Sequence, residues 1–366
     1  MFGNEQIYDA HVHAHPFSDD LDEIVQAGLD YLRFTGLAGL NFLFLRERIN
    51  APGDDSAFLY LKALYPEKFS LFTGMAVGFD TIPDDSEGLV QQVRDLIDAG
   101  FDGFKMISQG STKALWGDEI DDERFDAMFS ELEKTRFPIT WHVGNTEHWP
   151  ERRGPGTEAL KDIVYRPGNE SDNEPLYARL ENVLARHPKL NLMIPHWIFM
   201  AEHRERVEDF MERHPNVWLD ITPGSGMLHY MGKDRDNWHA FAEKYQDRLV
   251  FGTDNFLERM RGAVELQTVC RRFMETDESF FVPFVPTHSW GFDITGIGPF
   301  DDKLLQKLHR DNFDHLRGGV HPLELPKTIA YLEKELSQLE RSRDERITER
   351  NIKLTREVIS RLKAMC

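Results

Sequence analysis

The residues best suited to chemistry gather first at Asp9-Ala10-His11-Val12-His13-Ala14-His15, where histidine recurs at every second position. On a β-strand alternate side chains share a face, so His11 and His13 point the same way and can grip one divalent cation through neutral imidazole nitrogens. A solvent-facing polar strand carries the same pattern, and the pair alone decides nothing. Further donors follow near the ends of later apolar runs: Lys105, His142, His196 and Asp254. A single histidine at a strand end is ordinarily a hydrogen-bonded structural residue. Four histidines, a lysine and an aspartate in equivalent positions instead point to one shared metal centre.

Side chains spread from residue 11 to residue 254 meet only if the elements between them are regular. Strand-like apolar runs occupy 7–15, 40–45, 70–77, 102–107, 137–143, 190–197, 216–222 and 248–254. Between them, 21–34, 57–65, 89–99, 121–135, 176–187, 201–213 and 238–245 carry helical spacing. Gly100 stops one helix, and Pro66, Pro188 and Pro215 each mark the step from helix to strand. Strict alternation of strand and helix indicates a parallel sheet with crossover helices, and eight such units close into a (β/α)8 TIM barrel, about 250 residues in minimal form. The surplus falls in long loops after strands five (144–174) and seven, and in a charged helical extension over 321–366. The whole chain, 1–366, reads as a single barrel domain. In that fold the ends of the strands facing the mouth carry function, which is where the candidate donors fall.

The chain has 366 residues, 40% of them hydrophobic, and a formal net charge of −20. That is enough apolar material for a large core. The acidity argues against a nucleic-acid partner, whose phosphates demand Lys and Arg, and against anionic membrane surfaces. The two cysteines, Cys270 and Cys366, are far apart and form no metal motif, which fits a reducing compartment. No basic-then-apolar leader opens the sequence and no window spans a bilayer, so the expected location is the cytoplasm. The expected partner is a small-molecule substrate, with a homo-oligomer built through the C-terminal extension as an open alternative.

The donor pattern resembles the amidohydrolase superfamily of metal-dependent barrel enzymes, marked by H-x-H on strand one, His on strands five and six and Asp on strand eight. Pro138-Ile139-Thr140-Trp141-His142, Leu192-Met193-Ile194-Pro195-His196 and Phe251-Gly252-Thr253-Asp254 are most similar to the amidohydrolase-related branch that includes aminocarboxymuconate-semialdehyde decarboxylase. Residues 296–316 resemble that branch's closing helix. One departure is Trp197, where many relatives have small residues; the expectation is that it narrows the pocket.

The resemblance implies a divalent ion, zinc foremost, held by His11, His13, His142 and Asp254, with a position left for water. On zinc that water's pKa falls toward about 7, giving hydroxide at neutral pH. Asp254 then serves as ligand and general base, and His196 polarises a carbonyl or donates a proton. Lys105 is the fork. Carboxylated, it bridges two ions and His196 becomes a ligand; left as an ordinary lysine it neutralises a substrate carboxylate. One ion is the leading expectation. Arg46, Lys105, Trp141, Asn145, Trp197 and Asn255 are the expected substrate contacts, with Arg46 and Arg48 placed to clamp a carboxylate. Trp116, His148, Trp149, Arg152 and Arg153 lie in loops able to act as a lid, and Asp220 is placed to orient a ligating histidine. The leading function is a metal-dependent hydrolase of an amide, lactone or ester in a small polar, carboxylated molecule. The alternatives are a non-oxidative decarboxylase of an unsaturated or aromatic acid, and a barrel that keeps a metal for stability alone.

Overall fold

A computed structural model describes residues 3, 6–15, 17–46, 50–108, 117–146, 173–223, 226–283 and 291–366. Arg48, Trp116, His148, Trp149, Arg152 and Arg153, and most of the loop after the fifth strand, lie outside the described residues. Strands β1 (Tyr8–His13), β2 (Gly39–Phe44), β3 (Phe69–Thr73), β4 (Gly103–Ser108), β5 (Ile139–Val143), β6 (Leu192–Ile194), β7 (Val217–Asp220) and β8 (Leu249–Val250) pair in that order, all parallel. The expected eighth strand is split: β9 (Asn255–Phe256) resumes after residues 251–254 and pairs with β1. Ala10 N–H also donates to Phe251 O at 3.0 Å, so the sheet closes on itself. The barrel is present.

Helices α1 (Leu21–Thr35), α2 (Ser56–Leu64), α3 (Ser86–Ala99), α4 (Asp126–Thr135), α5 (Glu174–Arg186) and α6 (Arg204–Arg213) fill the crossovers. Their starts and stops follow local chemistry. Asp20 accepts from the backbone N–H groups of Asp22 and Glu23 at the start of α1, and Gly100 ends α3 in the left-handed conformation that its missing Cβ permits. Three expectations are corrected. The helix expected over 121–135 begins only at Asp126, because Asp122 caps a separate short turn at Glu123–Phe125. The loop after β7 carries α7 (Met227–Lys233) ahead of α8 (Arg235–Lys244). Strand six stops at Ile194, well short of residue 197, for a reason found at the site.

After β9 come α9 (Met260–Glu275) and an antiparallel hairpin of β10 (Ser279–Val282) and β11 (Phe292–Thr295), which periodicity did not single out. Then follow α10 (Asp302–Gln306), a π-helical turn (Lys307–Asp311) and α11 (Asn312–Leu316), in the region expected to close the barrel. The C-terminal extension forms α12 (Leu325–Leu339) and α13 (Glu349–Met365), packed on each other and against α3 and α2 respectively. Among the described residues no helix is long and apolar enough to cross a membrane.

The core has two layers. One large cluster fills the space between sheet and helices, while Tyr8, Ala10, Leu43, Phe72, Met193, Val250, Phe313 and Leu316 form a second, smaller one. That second cluster packs strand residues onto α11, with Phe313 stacked on Tyr8 at 5.3 Å between ring centroids. Polar side chains occupy the later positions of the same strands.

Candidate metal centre

β1 does not alternate simply. Asp9 pairs with Leu40 and Val12 with Phe42, so β1 spends one extra residue against β2. Such a bulge re-aims side chains without ending the strand. It lets Tyr8 and Ala10 join the inner apolar cluster while His11 and His13 are still delivered to the site above it. At the far side of the closure, Asp254 N–H donates to His11 O at 2.9 Å and Asp254 adopts φ 58°. Asp9, buried beside the same turn, accepts from Thr253 N–H at 3.1 Å and from its hydroxyl at 2.6 Å.

Three donor atoms form an equilateral triangle. His11 Nε2 lies 3.3 Å from His13 Nε2, and both lie 3.3 Å from Asp254 Oδ1. Ligands about 2.0–2.1 Å from a tetrahedral zinc ion are themselves about 3.4 Å apart, so the triangle has the dimensions of one face of such a site. His196 Nε2 stands 3.9 Å from the other Asp254 oxygen, and donor atoms of His11, His196 and Asp254 all lie within 4.8 Å of one another. The His142 ring is 4.8 Å from that of His196.

Outer contacts fix which nitrogen faces inward. His11 Nδ1 is 2.6 Å from Asp220 Oδ2, and His13 Nδ1 donates to Leu43 O at 3.0 Å. Each contact claims the outer nitrogen and leaves Nε2 for the centre, the arrangement that orients metal-binding imidazoles. His142 Nε2 donates to Gly144 O at 3.1 Å, which leaves Nδ1 as its acceptor. Thr222 donates from its backbone and its hydroxyl to Asp220 Oδ1. Gly252 makes this packing possible, since a Cβ there would sit 2.7 Å from both His11 Cβ and Thr222 Oγ1.

His196 is held by an unusual backbone. His196, Trp197, Ile198 and Phe199 all have positive φ, between 49° and 57°. Each such residue costs roughly 1–2 kcal/mol when it carries a Cβ, so only tertiary packing sustains the run. Trp197 is buried against Trp238 and Phe241, and Ile198 is buried with it. This left-handed turn is what ends β6 early. It also brings Phe199 onto the site, stacked 4.7 Å from the His196 ring and tilted 5.1 Å from that of His142. Phe199 escaped the sequence reading because no glycine marks the turn.

The electrostatics favour a cation. Burial pushes His196 down to about 4, only partly offset by Asp254, and burial likewise lowers His13 and His142, so these imidazoles are neutral at pH 7. Burial alone would raise Asp254, but His11, His13 and His196 hold its carboxyl well below the usual range. Burial also opposes charge on His11, yet Asp220 and then Asp254 outweigh it and lift the pKa to about 9. Lys105 is fully buried on β4, and its charge helps depress His13, His142 and His196, so it lies within electrostatic reach of all three. Neutral imidazoles around an ionised carboxylate are the donor set a divalent ion takes.

Four expected substrate contacts are engaged elsewhere. Arg46 is buried in ion pairs with Asp55 and Glu335. Trp141 precedes His142 and so points to the helices, where it stacks on Phe129 and donates to Ser108 Oγ at 2.9 Å. Trp197 packs in the outer layer and does not narrow a pocket. Asn255 donates to the Tyr31 hydroxyl at 2.9 Å and to Arg259 O. Asn145 accepts from Thr146 N–H and is tied through its backbone to Asn173. His15 pairs with Glu258 at 2.8 Å, on the half-exposed side of the strand end.

A comparison with curated proteins finds no match. Among solved structures, 2,6-dihydroxybenzoate decarboxylase from Rhizobium is similar with 14% identity and a TM-score of 0.52, over 85% of this chain and 98% of that one. 5-Carboxyvanillate decarboxylase from Sphingomonas paucimobilis shares 11% identity at a TM-score of 0.50, over 86% and 99%. A probable 2-pyrone-4,6-dicarboxylic acid hydrolase from Acinetobacter baumannii shares 12% at 0.50, over 86% and 99%. At these identities the likeness is one of fold. The sequence itself goes further, since the family model described as amidohydrolase matches residues 8–312 and takes in every donor from His11 to Asp254. The chain belongs to the amidohydrolase family.

Proposed function

We propose that the protein is a metal-dependent decarboxylase of small, planar carboxylic acids, using one divalent ion, zinc foremost. The observation that carries the single-ion reading is the 3.3 Å triangle of His11 Nε2, His13 Nε2 and Asp254 Oδ1, sized for one cation. His142, with its ring 4.8 Å from that of His196, would be the fourth ligand, and His196 stays free to move a proton. When bound, the ion supplies Lewis acidity that polarises a coordinated oxygen. Asp254, ionised at rest, would take up a proton from solvent before the chemical step and pass it to the substrate carbon that bears the carboxylate, returning to the carboxylate. The bond to the carboxylate then breaks, carbon dioxide leaves, and its electron pair restores the unsaturated system. His196, neutral and 3.9 Å from Asp254 Oδ2, is positioned to relay that proton. Phe199, stacked on His196 and tilted against His142, supports a preference for flat substrates, and Lys105 supplies positive charge near the site for an acid. Two of the similar structures are decarboxylases by name, which agrees with this reading.

The hydrolase reading has one observation in its favour, the likeness to a dicarboxylic acid hydrolase of the same fold. In it, the same Asp254 and His196 would move protons during attack of water on a carbonyl carbon, and a carboxylated Lys105 would bring in a second ion. Incubating the metal-loaded protein with hydroxybenzoic acids and pyrone dicarboxylates in D2O separates the two. Decarboxylation releases carbon dioxide and places deuterium on the vacated carbon; ring opening with no carbon dioxide would overturn the proposal. Elemental analysis near one ion per chain is the companion expectation, and two would require the Lys105 bridge.

A further inference from the structure

The metal centre straddles the seam where the barrel closes. His11 and His13 stand on β1, whereas Asp254 lies in the segment 251–254 between β8 and β9. Backbone hydrogen bonds cross the seam from Ala10 N–H to Phe251 O at 3.0 Å and from Asp254 N–H to His11 O at 2.9 Å. The Asp9 side chain adds to them. Its Oδ1 accepts from the backbone N–H of His11 and from that of Thr253, each at 3.1 Å, and its Oδ2 accepts from the Thr253 hydroxyl at 2.6 Å. One oxygen thus holds the backbone of a donor residue on one side of the seam and of the neighbour of Asp254 on the other. Asp9 and Thr253 are 0% and 2% exposed, so water does not compete for these bonds.

Tyr8 and Ala10 face the inner apolar cluster, so Asp9 between them faces the helices, where its charge is felt by Tyr31 of α1 and Cys270 of α9. From there it touches no substrate. Its reach matters most at Asp254, whose φ of 58° a residue with a Cβ keeps only when its surroundings impose it. Relaxation of that conformation would carry Asp254 Oδ1 out of its 3.3 Å contacts with His11 and His13. We propose that Asp9 is a positioning residue for the metal centre, holding Asp254 at the distance from the two histidines that one ion requires. It acts through its hydrogen bonds and not through its charge. This role rests on the single-ion reading above and is independent of the reaction that the ion serves.

The test measures zinc and cobalt(II) affinity of the full-length protein by competition with a chelator, together with the visible spectrum of the cobalt form, which reports ligand geometry. The denaturant midpoint of the ion-free protein is taken alongside. Asp9→Ala should weaken both ions about 10–100-fold, the loss that follows removal of an outer contact, and shift the cobalt absorption. Asp9→Asn should stay within about threefold of the parent protein, since its Oδ1 accepts the same two N–H groups and its amide can donate to the Thr253 hydroxyl. Should Asp9→Ala fail to fold, Thr253→Val removes the hydroxyl bond alone and should give a smaller loss with a shifted spectrum. Unchanged affinity and spectrum in Asp9→Ala, whatever its stability, would overturn the proposal, as would the same result in Thr253→Val where it stands in. Equal losses in Asp9→Ala and Asp9→Asn would overturn it too, by assigning the effect to charge. A parent protein that binds no ion overturns both this role and the single-ion reading, whereas bound metal without decarboxylation counts against the reaction alone.

Discussion

Two clusters of buried charge sit at strand ends on the same barrel, and they answer one problem differently. Beyond β2, Asp55 and Glu335 are neutralised by a cation that the chain provides, the Arg46 guanidinium. Between β1 and β9, Asp254 faces the converging Nε2 atoms of His11 and His13, and a proton on His11 is its leading counter-charge among the described residues. Asp55 and Glu335 are buried and costly to leave unpaired, whereas the Asp254 side chain is 37% exposed at the mouth. One cluster is completed by sequence, and the other is built to be completed from solution. The first should therefore matter for stability, the second for metal content.

The largest effect should come from Asp254→Asn, which removes the only anionic corner of the triangle. We expect bound metal to fall below about a tenth of an ion per chain and turnover to drop by about 10³-fold or more, the scale on which metal activation operates. Thermal unfolding of the ion-free protein should shift little by comparison. Arg46→Met should do the reverse. Leaving two buried carboxylates unpaired costs about 3–5 kcal/mol, read as a lower denaturant midpoint, while the folded fraction keeps its ion and its substrate KM. A raised KM with unchanged stability would return Arg46 to the substrate site and dissolve the contrast.

Asp220→Asn probes the contact behind His11. Loss of such an outer carboxylate weakens metal affinity about 10–100-fold, measurable by competition with a chelator. The companion variant Thr222→Val should give a smaller loss in the same direction.

The pH dependence sharpens the same point. With His11 raised to about 9 in the ion-free fold, its stabilising contribution is fully present below its ordinary value of 6.5 and is lost as pH rises through 9. An ion must displace that proton, so metal affinity should climb about tenfold per pH unit between roughly 6.5 and 9 and level off above. Calorimetry in buffers of different ionisation enthalpy should register close to one proton released per ion at pH 7.5. A pH-independent affinity would mean that His11 is not a ligand.

Which parts of this were legible in the sequence follows from where the determining contacts lie. The donors could be found because each depends on a local rule: parity along a strand for His11 and His13, position at a strand end for His142, His196 and Asp254. The position of Asp220 in its strand allowed either face, and the structure sets it 2.6 Å from His11 Nδ1. Arg46 was misjudged because one of its two ion-pair partners, Glu335, sits on α12, almost the whole chain away, and no local pattern announces it. Trp141 stands next to His142 on one strand, so alternation already argues that it faces the other way, whereas Asn255 follows the left-handed Asp254, where no strand parity applies. The turn at residues 196–199 had no signal, because the glycines that usually reveal a left-handed backbone are absent.

That turn carries a consequence for engineering. His196 keeps its place through the bulk of Trp197 and Ile198 and the indole of Trp238 behind them, all on the far side of the sheet from any substrate. Loosening that packing would leave the imidazole's chemistry intact but scatter its orientation, so mutational sensitivity of turnover should extend outward into α8, a helix that touches no reactant.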